Sequence, residues 1–232
     1  MGVVELLKRQ VWDDVYDVKL DDKVAPDLSD VARGEGDRIY IDAGEFFKRT
    51  YLTPSIKEVV KEVAHVLRGE REGGVFLLAS LFGGGKTHTL ITLYHAFTKP
   101  EALRELDLGL AEVVAQVGRP TIVVMDGTRG DSIPHPMEVY RVDGFEIKTI
   151  WGMLGYRLGN YAEVRDFDDR SRPAPSVTVI QSLLSKARKP LLILLDEIMP
   201  YVYNLSKSEL KDYADNVILF LGYLAEAVSK TP

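Results

Sequence analysis

The stretch that most constrains the fold is "VFLLASLFGGGKTHTL", residues 75–90, in which an apolar run leads into three glycines and a Lys-Thr pair. A strand, a glycine-rich turn and a helix in this order form a phosphate-binding loop, whose usual pattern is G-x-x-x-x-G-K-[ST]. Aligned on Gly85, Lys86 and Thr87, the chain has Ser80 where the first glycine belongs. Because Ser is small enough for the turn that leaves the strand, we predict a phosphate-binding loop here.

Each part of this loop suits a triphosphate, which needs converging backbone N–H groups, a mobile cation and a magnesium ligand. We expect Lys86 to reach the β- and γ-phosphates and Thr87 to ligate Mg²⁺. The N–H groups of Thr87 and His88 lie at a helix N-terminus, where the helix dipole favours an anion. The backbone is free to curl around the phosphates at three consecutive glycines, Gly83, Gly84 and Gly85. The alternative, a glycine-rich turn with an incidental lysine, is disfavoured by the apolar run before the loop and the helical pattern after it.

A phosphate-loop ATPase also needs a second acidic element, and "LLILLDE" at residues 191–197 supplies one. We expect Asp196 to hold magnesium through its water shell, beside Thr87. Glu197 is expected to polarise the attacking water as general base. The alternative is a strand that ends in two solvated acids. Kinases and small GTPases typically lack the adjacent glutamate, so the pair indicates the ATP-hydrolysing branch related to AAA+ and RecA-like motors.

Three apolar runs, each typical of a strand buried on both faces, alternate with helical patterns. The runs cover residues 75–80, 121–127 and 191–197. This alternation predicts an α/β fold with a mainly parallel sheet flanked by helices, a P-loop NTPase of the AAA+/RecA-like branch. Helices are predicted at residues 53–69, 86–97, 101–117, 150–158, 177–187 and, headed by a capping box at Ser206 and Glu209, up to residue 229.

The first fifty residues are polar and broken by turn residues, with one short strand predicted at residues 38–42. We assign residues 1–50 to an N-terminal extension and residues 51–232 to a P-loop nucleotide-binding domain. Within that domain, "MEVYRVDGFEIK" predicts a hairpin insertion near residues 137–148 that turns at Asp143 and Gly144.

Composition limits the possible partners. The 232-residue chain has a net charge of −6 with both signs mixed along it, which argues against a surface built for nucleic acid or an anionic membrane. It has no cysteine, which excludes disulfides and thiolate metal sites, and its four histidines lack metal-ligand spacing. No apolar run approaches a membrane span and the N-terminus lacks the apolar core of a signal peptide, so we expect a cytoplasmic protein without a membrane partner.

Other residues near the motifs have competing interpretations. Asp126 could face the γ-phosphate, although an Asp before Gly127 is typical of a turn. The imidazole of His88 is expected to pack rather than to act in catalysis. The segment "RDFDDRSR", residues 165–172, could hold an ion, although a solvated loop is the simpler interpretation.

With these motifs the sequence resembles a large prokaryotic family of AAA+-like P-loop ATPases, catalogued as a domain of unknown function, whose hallmark is an "FGGGKTHTL…LYH" phosphate loop. The matching residues are 82–90, followed by Leu93, Tyr94 and His95. Similar segments are "FFKRTYLT", "IWGMLGYRLG" and "LLILLDEIMPYV", so the resemblance covers most of the chain from about residue 20. Phosphate chemistry does not require the Thr-His-Thr-Leu continuation, which makes the motif specific.

The resemblance implies ATP or ADP with Mg²⁺ as ligands. By similarity to AAA+ proteins, it also implies that Tyr51, Leu52 and Thr53 lie over the adenine. Family members are often encoded beside DNA methyltransferases and anti-phage systems, which implies a link to DNA-modification or defence proteins through the full-length protein. A homo-oligomer is a further expected partner state.

We therefore expect the ATP-binding domain of a larger ATPase that hydrolyses the γ-phosphate of Mg-ATP, with hydrolysis by this chain alone left open. Two alternatives remain: a nucleotide-dependent binding or assembly module with negligible hydrolysis, and a small-molecule phosphotransferase. The family's later strand, which normally lies between the phosphate-loop and acidic strands, is not found before Pro232, so we expect a fold incomplete at the C-terminus. The open edges would then pair with a second copy, exchange an element, or close the gap side by side.

Overall fold

The computed structural model describes residues 26–71, 74–79, 85–135 and 138–231. Helices precede the first strand: α1 (Leu28–Arg33), α2 (Arg38–Ile41), α3 (Ala43–Arg49), α4 (Pro54–Leu67), α5 (Lys86–Thr98), α6 (Pro100–Leu103) and α7 (Leu108–Ala115). After them come β1 (Thr121–Asp126), β2 (Tyr140–Val142), β3 (Phe145–Ile147), α8 (Ile150–Arg157), α9 (Val177–Ser185), β4 (Leu191–Asp196), α10 (Ile198–Ser206) and α11 (Lys211–Lys230).

β1 and β4 form a parallel pair, in register from Thr121 beside Leu191 to Asp126 beside Asp196. The prediction that these two apolar runs are parallel strands is confirmed. Their last residues share one edge of the sheet, because parallel strands end on the same side. This pairing brings the two aspartates together.

Side chains alternate between the two faces of the β1–β4 pair, and each face packs against its own helices. One face, with Val123 and Met125, is covered by α8 to α11 through buried residues that include Trp151, Leu183, Leu205, Tyr213 and Phe220. The other face, with Val124 and Leu194, packs against the helices before β1 through residues that include Leu28, Phe46, Val60, Ile91 and Leu110. The sheet therefore lies between two helical layers.

The first predicted strand, residues 75–80, is not formed in its described part. Residues 74–79 have no regular secondary structure, and Val75, Phe76 and Leu77 are 58%, 43% and 89% exposed. An apolar run predicts burial, but it does not specify which neighbour accepts its hydrogen bonds. Among the described strands, β4 pairs only with β1, so the segment has not closed the expected gap by pairing with β4.

The strand predicted at residues 38–42 is also wrong, because Arg38–Ile41 forms the helix α2. Asp37 caps this helix by accepting a hydrogen bond from the Ile39 N–H at 3.0 Å, and this local cap outweighs the alternating pattern "RIYI". Leu28, Phe46 and Phe47 are at most 2% exposed and lie in the same core as α5. The described part of the N-terminal extension thus shares its core with the helix that follows the glycine loop.

Other helix boundaries also follow local capping. α4 begins as predicted, with Oγ1 of Thr53 accepting from the Ile56 N–H at 3.2 Å. The helix predicted at residues 101–117 is instead divided into α6 and α7, because Asp107 caps a new helix through the Leu110 N–H.

The long C-terminal helix begins later than predicted. Ser206 is the last residue of α10, where its hydroxyl donates back to the Tyr203 carbonyl at 2.7 Å. α11 begins at Lys211 without a side-chain cap from Leu210. The predicted capping box at Ser206 and Glu209 is therefore wrong, because its hydroxyl belongs to the preceding helix.

The predicted hairpin is confirmed: β2 and β3 pair antiparallel around Asp143 and Gly144, whose φ angles are 49° and 81°. The loop expected to be solvated at residues 165–172 differs from its prediction at Asp168, which is 5% exposed. Its Oδ1 accepts hydrogen bonds from the N–H and hydroxyl of Thr149, at 2.8 and 2.6 Å, beside the start of α8. None of the helices in the described residues combines the length and apolar character needed to cross a bilayer.

Candidate functional site

The glycine loop leads into α5 at the predicted position. Gly85 has a φ of 73°, in the left-handed region that glycine adopts without strain, and Lys86 is the first residue of the helix. Gly85 has no side chain that could cap the helix, whose first N–H groups carry the positive end of its dipole. Gly83 and Gly84 lie outside the described residues.

Thr87 and His88 occupy the first turn of α5. The side chain of His88 contacts the N-terminal helices. Its imidazole packs on Phe46 at 4.8 Å between ring centroids, and its Nε2 lies 3.3 Å from Oγ1 of Thr50. Burial lowers the pKa of His88 from its ordinary value. The prediction that this imidazole packs is confirmed.

The two strand-end carboxyls lie side by side and are both buried. Asp126 and Asp196 are register partners and are 2% and 6% exposed. Since alternate residues share a face, both point to the same side as Val124 and Leu194, the side that packs against α5. The side chains at the acidic ends of β1 and β4 therefore point toward the helical layer that contains α5.

Asp196 is only partly satisfied. Its Oδ1 accepts a hydrogen bond from the Glu197 N–H at 3.0 Å. Its Oδ2 is buried and has no hydrogen-bond partner. A buried carboxylate oxygen without a partner is costly, so this atom is the expected contact point for a ligand.

Asp126 forms a turn, as one of its two interpretations predicted. Its Oδ1 accepts from the N–H and the hydroxyl of Thr128, at 2.8 and 2.6 Å. Burial raises the pKa of the Asp126 carboxyl above its ordinary value; the Thr128 hydrogen bonds oppose this, and the nearby carboxylates of Asp27 and Asp196 add to it.

Glu197 is exposed and has a φ of 51°, a left-handed conformation that non-glycine residues rarely adopt. Gly127 packs directly against it: a Cβ on Gly127 would meet the Glu197 carbonyl oxygen at 2.2 Å and Cβ of Tyr201 at 2.8 Å. The Gly127 N–H also donates to the Asp196 carbonyl at 3.0 Å. The turn after β1 therefore holds the backbone of the predicted general base. Sequence patterns indicated the Asp-Gly turn but not this contact.

A cavity of about 260 Å³ lies between α4, residues 77–79 and the start of α5. Its lining includes Ile56, Val59 and Leu78, with Lys86 and Thr89 from α5. Tyr51, which precedes α4, is 81% exposed.

The "THTL…LYH" part of the motif connects α5 to the N-terminal helices. The Tyr94 hydroxyl donates to the Ala32 carbonyl at 3.2 Å, and Nε2 of His95 lies 2.7 Å from the Tyr40 carbonyl. Burial lowers the pKa of His95, although the contact with Tyr40 opposes this. These contacts explain residues of the motif that phosphate binding does not require.

Ion pairs join α1 to the loop after β1. Nε of Arg129 lies 2.6 Å from Asp27, and its guanidinium also contacts Asp30. Arg33 pairs with Asp131 at 2.8 Å. The N-terminal helices thus contact both α5 and the loop that follows Asp126, which sequence patterns did not indicate.

No set of three or more histidine or acidic side chains within the described residues is arranged to hold a metal ion by itself. The two predicted Mg²⁺ ligands come from different elements, Thr87 from α5 and Asp196 from the end of β4. Mg²⁺ is commonly bound by one or two carboxylates together with phosphate and water oxygens. The donor set of this edge fits that mode of binding.

The sequence model of one family, described as the DUF499 N-terminal domain, matches residues 1–232. No curated protein and no solved structure matches the chain. The expected relation to a family catalogued as a domain of unknown function is confirmed at this level. Because the match extends over the whole chain, this protein belongs to the DUF499 N-terminal domain family.

Proposed function

We propose that this chain is the ATP-binding domain of a larger ATPase, with the phosphates of Mg-ATP at the start of α5. The observation that carries this proposal is the buried, partnerless Oδ2 of Asp196, at the end of β4 on the face that packs against α5. A hard divalent cation prefers such an oxygen, and phosphate oxygens can complete its shell. The sequence Gly-Gly-Gly-Lys-Thr before α5 supplies the phosphate side.

The chain's own groups would divide the work as follows. The first-turn N–H groups of α5 and the ammonium of Lys86 would hold the β- and γ-phosphates. Thr87 and Asp196 would hold Mg²⁺, which neutralises charge on the phosphates when bound. Glu197, exposed at the strand end, would accept the proton of the water that attacks the γ-phosphorus, while the bond to the β–γ bridging oxygen breaks.

The cavity beside Lys86 is the proposed site for the adenine base of ATP. Its lining combines apolar side chains of α4 and residues 77–79 with Lys86 and Thr89 from the proposed phosphate-binding helix. The exposed ring of Tyr51 precedes the same helix and would stack on the adenine there. Of the three residues that the resemblance implies for the adenine, Leu52 is 6% exposed and packs in the core, so the proposal assigns the contact to Tyr51.

The proposal is tested by nucleotide binding and turnover in one set of variants. Lys86→Ala should weaken Mg-ATP binding at least ~30-fold in calorimetry, because a charge-assisted contact with phosphate contributes about 2–3 kcal/mol. Glu197→Gln should retain binding and lose turnover, because the amide cannot accept the proton. Unchanged ATP affinity in Lys86→Ala would contradict the proposed site.

The matched control is Lys230→Ala, which removes a lysine near the end of α11 that pairs with Glu226. It should leave ATP affinity unchanged. Wild-type chain that binds ATP without turnover would favour the nucleotide-dependent binding or assembly module. Turnover that requires a second small-molecule substrate would favour the phosphotransferase. Radiolabelled ATP distinguishes these results.

A further inference from the structure

We infer that Asp126 is a second carboxylate of the cation site, so that the ends of β1 and β4 together bind a divalent ion before nucleotide arrives. This inference deepens the proposed function and rests on it for the role of the ion beside the phosphates. The cation is one of the hard class, Mg²⁺ or Mn²⁺, which prefer oxygen ligands.

Strand register places the two carboxyls together. Asp126 and Asp196 are paired residues on neighbouring parallel strands. Such strands lie about 4.8 Å apart, and paired residues direct their side chains to the same face. Both side chains therefore leave the sheet side by side, toward the layer that contains α5.

Burial makes this juxtaposition costly unless something neutralises it. The two residues are 2% and 6% exposed, and Oδ2 of Asp196 has no partner. Like charges in a buried site repel, and an uncompensated buried charge is strongly destabilising. A divalent cation would neutralise both carboxylates at once.

Arg129, in the loop after β1, does not neutralise the two carboxylates. Arg129 follows β1 but is bound to Asp27 and Asp30. Within the described ranges, no lysine or arginine forms an ion pair with Asp126 or Asp196.

Thr128 holds the Asp126 carboxyl in position. Its N–H and hydroxyl both donate to Oδ1. Asparagine retains a side-chain oxygen that can accept these two bonds. The hydrogen bond to Oγ of Ser132 is donated by the backbone N–H of position 126, so the substitution leaves it in place. Asp126→Asn therefore removes the charge while it keeps the turn. This separates an ion-binding role from a purely structural one.

The test is a titration of the 232-residue chain with Mn²⁺ alone. The electron paramagnetic resonance signal of the free ion measures how much Mn²⁺ is bound at each point. Asp126→Asn and Asp196→Asn should each weaken Mn²⁺ binding at least ~10-fold, the usual effect of losing a group that supports a metal site. Asp166→Asn, in an exposed turn with 85% of its side chain accessible, should match the wild type.

A second measurement compares melting temperatures with and without Mn²⁺. The ion should raise the Tm of the wild type and raise that of Asp126→Asn less, whereas without the ion Asp126→Asn should be at least as stable as the wild type because it removes repulsion. The inference is overturned if the wild type binds no Mn²⁺, or if Asp126→Asn binds it as tightly as the wild type. ATP calorimetry on the same samples separates the two proposals. Mn²⁺ binding through both aspartates without ATP binding would contradict only the proposed function, whereas ATP binding with no effect of Asp126→Asn on Mn²⁺ would contradict only this inference.

Discussion

At the scale of single residues, the turn after β1 depends on the absence of a side chain at Gly127. A methyl group there would approach the Glu197 carbonyl oxygen to 2.2 Å. Glu197 already has a φ of 51°, so its backbone is held in a conformation that costs energy without support. Close packing of two backbones therefore fixes the direction in which the Glu197 side chain leaves the strand end.

We predict that Gly127→Ala destabilises the protein by about 1–3 kcal/mol, because overpacking against backbone forces atoms to move. Urea unfolding followed by circular dichroism measures this loss. Gly222→Ala is the matched control, since Gly222 lies within α11 and a Cβ there meets no atom within 4 Å. It should instead stabilise by about 0.5–1 kcal/mol, because alanine favours a helix interior. Equal effects of the two substitutions would contradict the close contact at Gly127.

At the scale of elements, α5 connects two parts of the molecule. Its first turn carries the predicted phosphate contacts, and further along it Tyr94 and His95 contact carbonyl groups of α1 and α2. His95 is 2% exposed, and burial lowers its pKa below the ordinary value of 6.5. The neutral imidazole is therefore the form that the folded state accommodates.

This burial makes stability depend on pH in a defined direction. Below pH 6.5 the unfolded chain binds a proton at His95 that the folded chain resists, so stability is complete above about 6.5 and falls as the pH is lowered toward the folded-state pKa. The loss is at most about 1.4 kcal/mol per pH unit for this residue. We expect His95→Gln to flatten the dependence between pH 7.5 and 5.5, measured by urea midpoints.

Tyr94→Phe provides the control on the same helix. It removes the hydroxyl that contacts the Ala32 carbonyl, and should cost about 0.5–1.5 kcal/mol to the same extent at both pH values. A wild-type pH dependence that persists unchanged in His95→Gln would show that other groups cause it.

Elements governed by local chemistry were predictable. Thr53 and Pro54 marked the start of α4, and the apolar runs of β1 and β4 marked buried strands. Elements whose identity depends on distant partners were not: a strand was predicted at residues 75–80, yet its described part pairs with none of the described strands. Short helices such as Arg38–Ile41 escape periodicity, because four residues complete little more than one turn.

The candidate site shows the same division. The positions of Lys86 at a helix start and of Asp196 at a strand end followed from the motifs. The pairing of Asp126 with Asp196 and the contact of Gly127 with Glu197 did not, because they depend on strand register. Spacing along a sequence does not specify which residues of two strands become neighbours.

At the scale of the whole molecule, exposed apolar surface predicts self-association. Val75 and Leu77 are 58% and 89% exposed in a segment that pairs with none of the described strands. Three outcomes were expected for the open strand edges. Because the described segment does not pair with β4, two of them are left: pairing with a second copy, or exchange of an element.

We expect light scattering of the isolated 232-residue chain to show a mass that rises with concentration. Leu77→Lys should reduce this association at least ~5-fold, because a charged side chain discourages pairing of exposed backbone and apolar surface. Leu108→Lys, at another exposed leucine on α7, should leave the association unchanged. A monomer at every concentration would contradict the prediction.

The ion pairs between α1 and the loop after β1 can form only well after α1 itself has been synthesised. Asp27 and Asp30 precede Arg129 by 102 and 99 residues. At roughly 5–20 residues per second, a ribosome needs about 5–20 s to supply that partner after α1 has been made. By the end of this interval the chain has supplied the core around Leu28 and Phe46, apart from Leu192 and Leu194 of β4. The N-terminal helices can therefore pack before they are locked to the loop after β1, because their ion pairs with Arg129 form only when the second half of the chain begins to emerge.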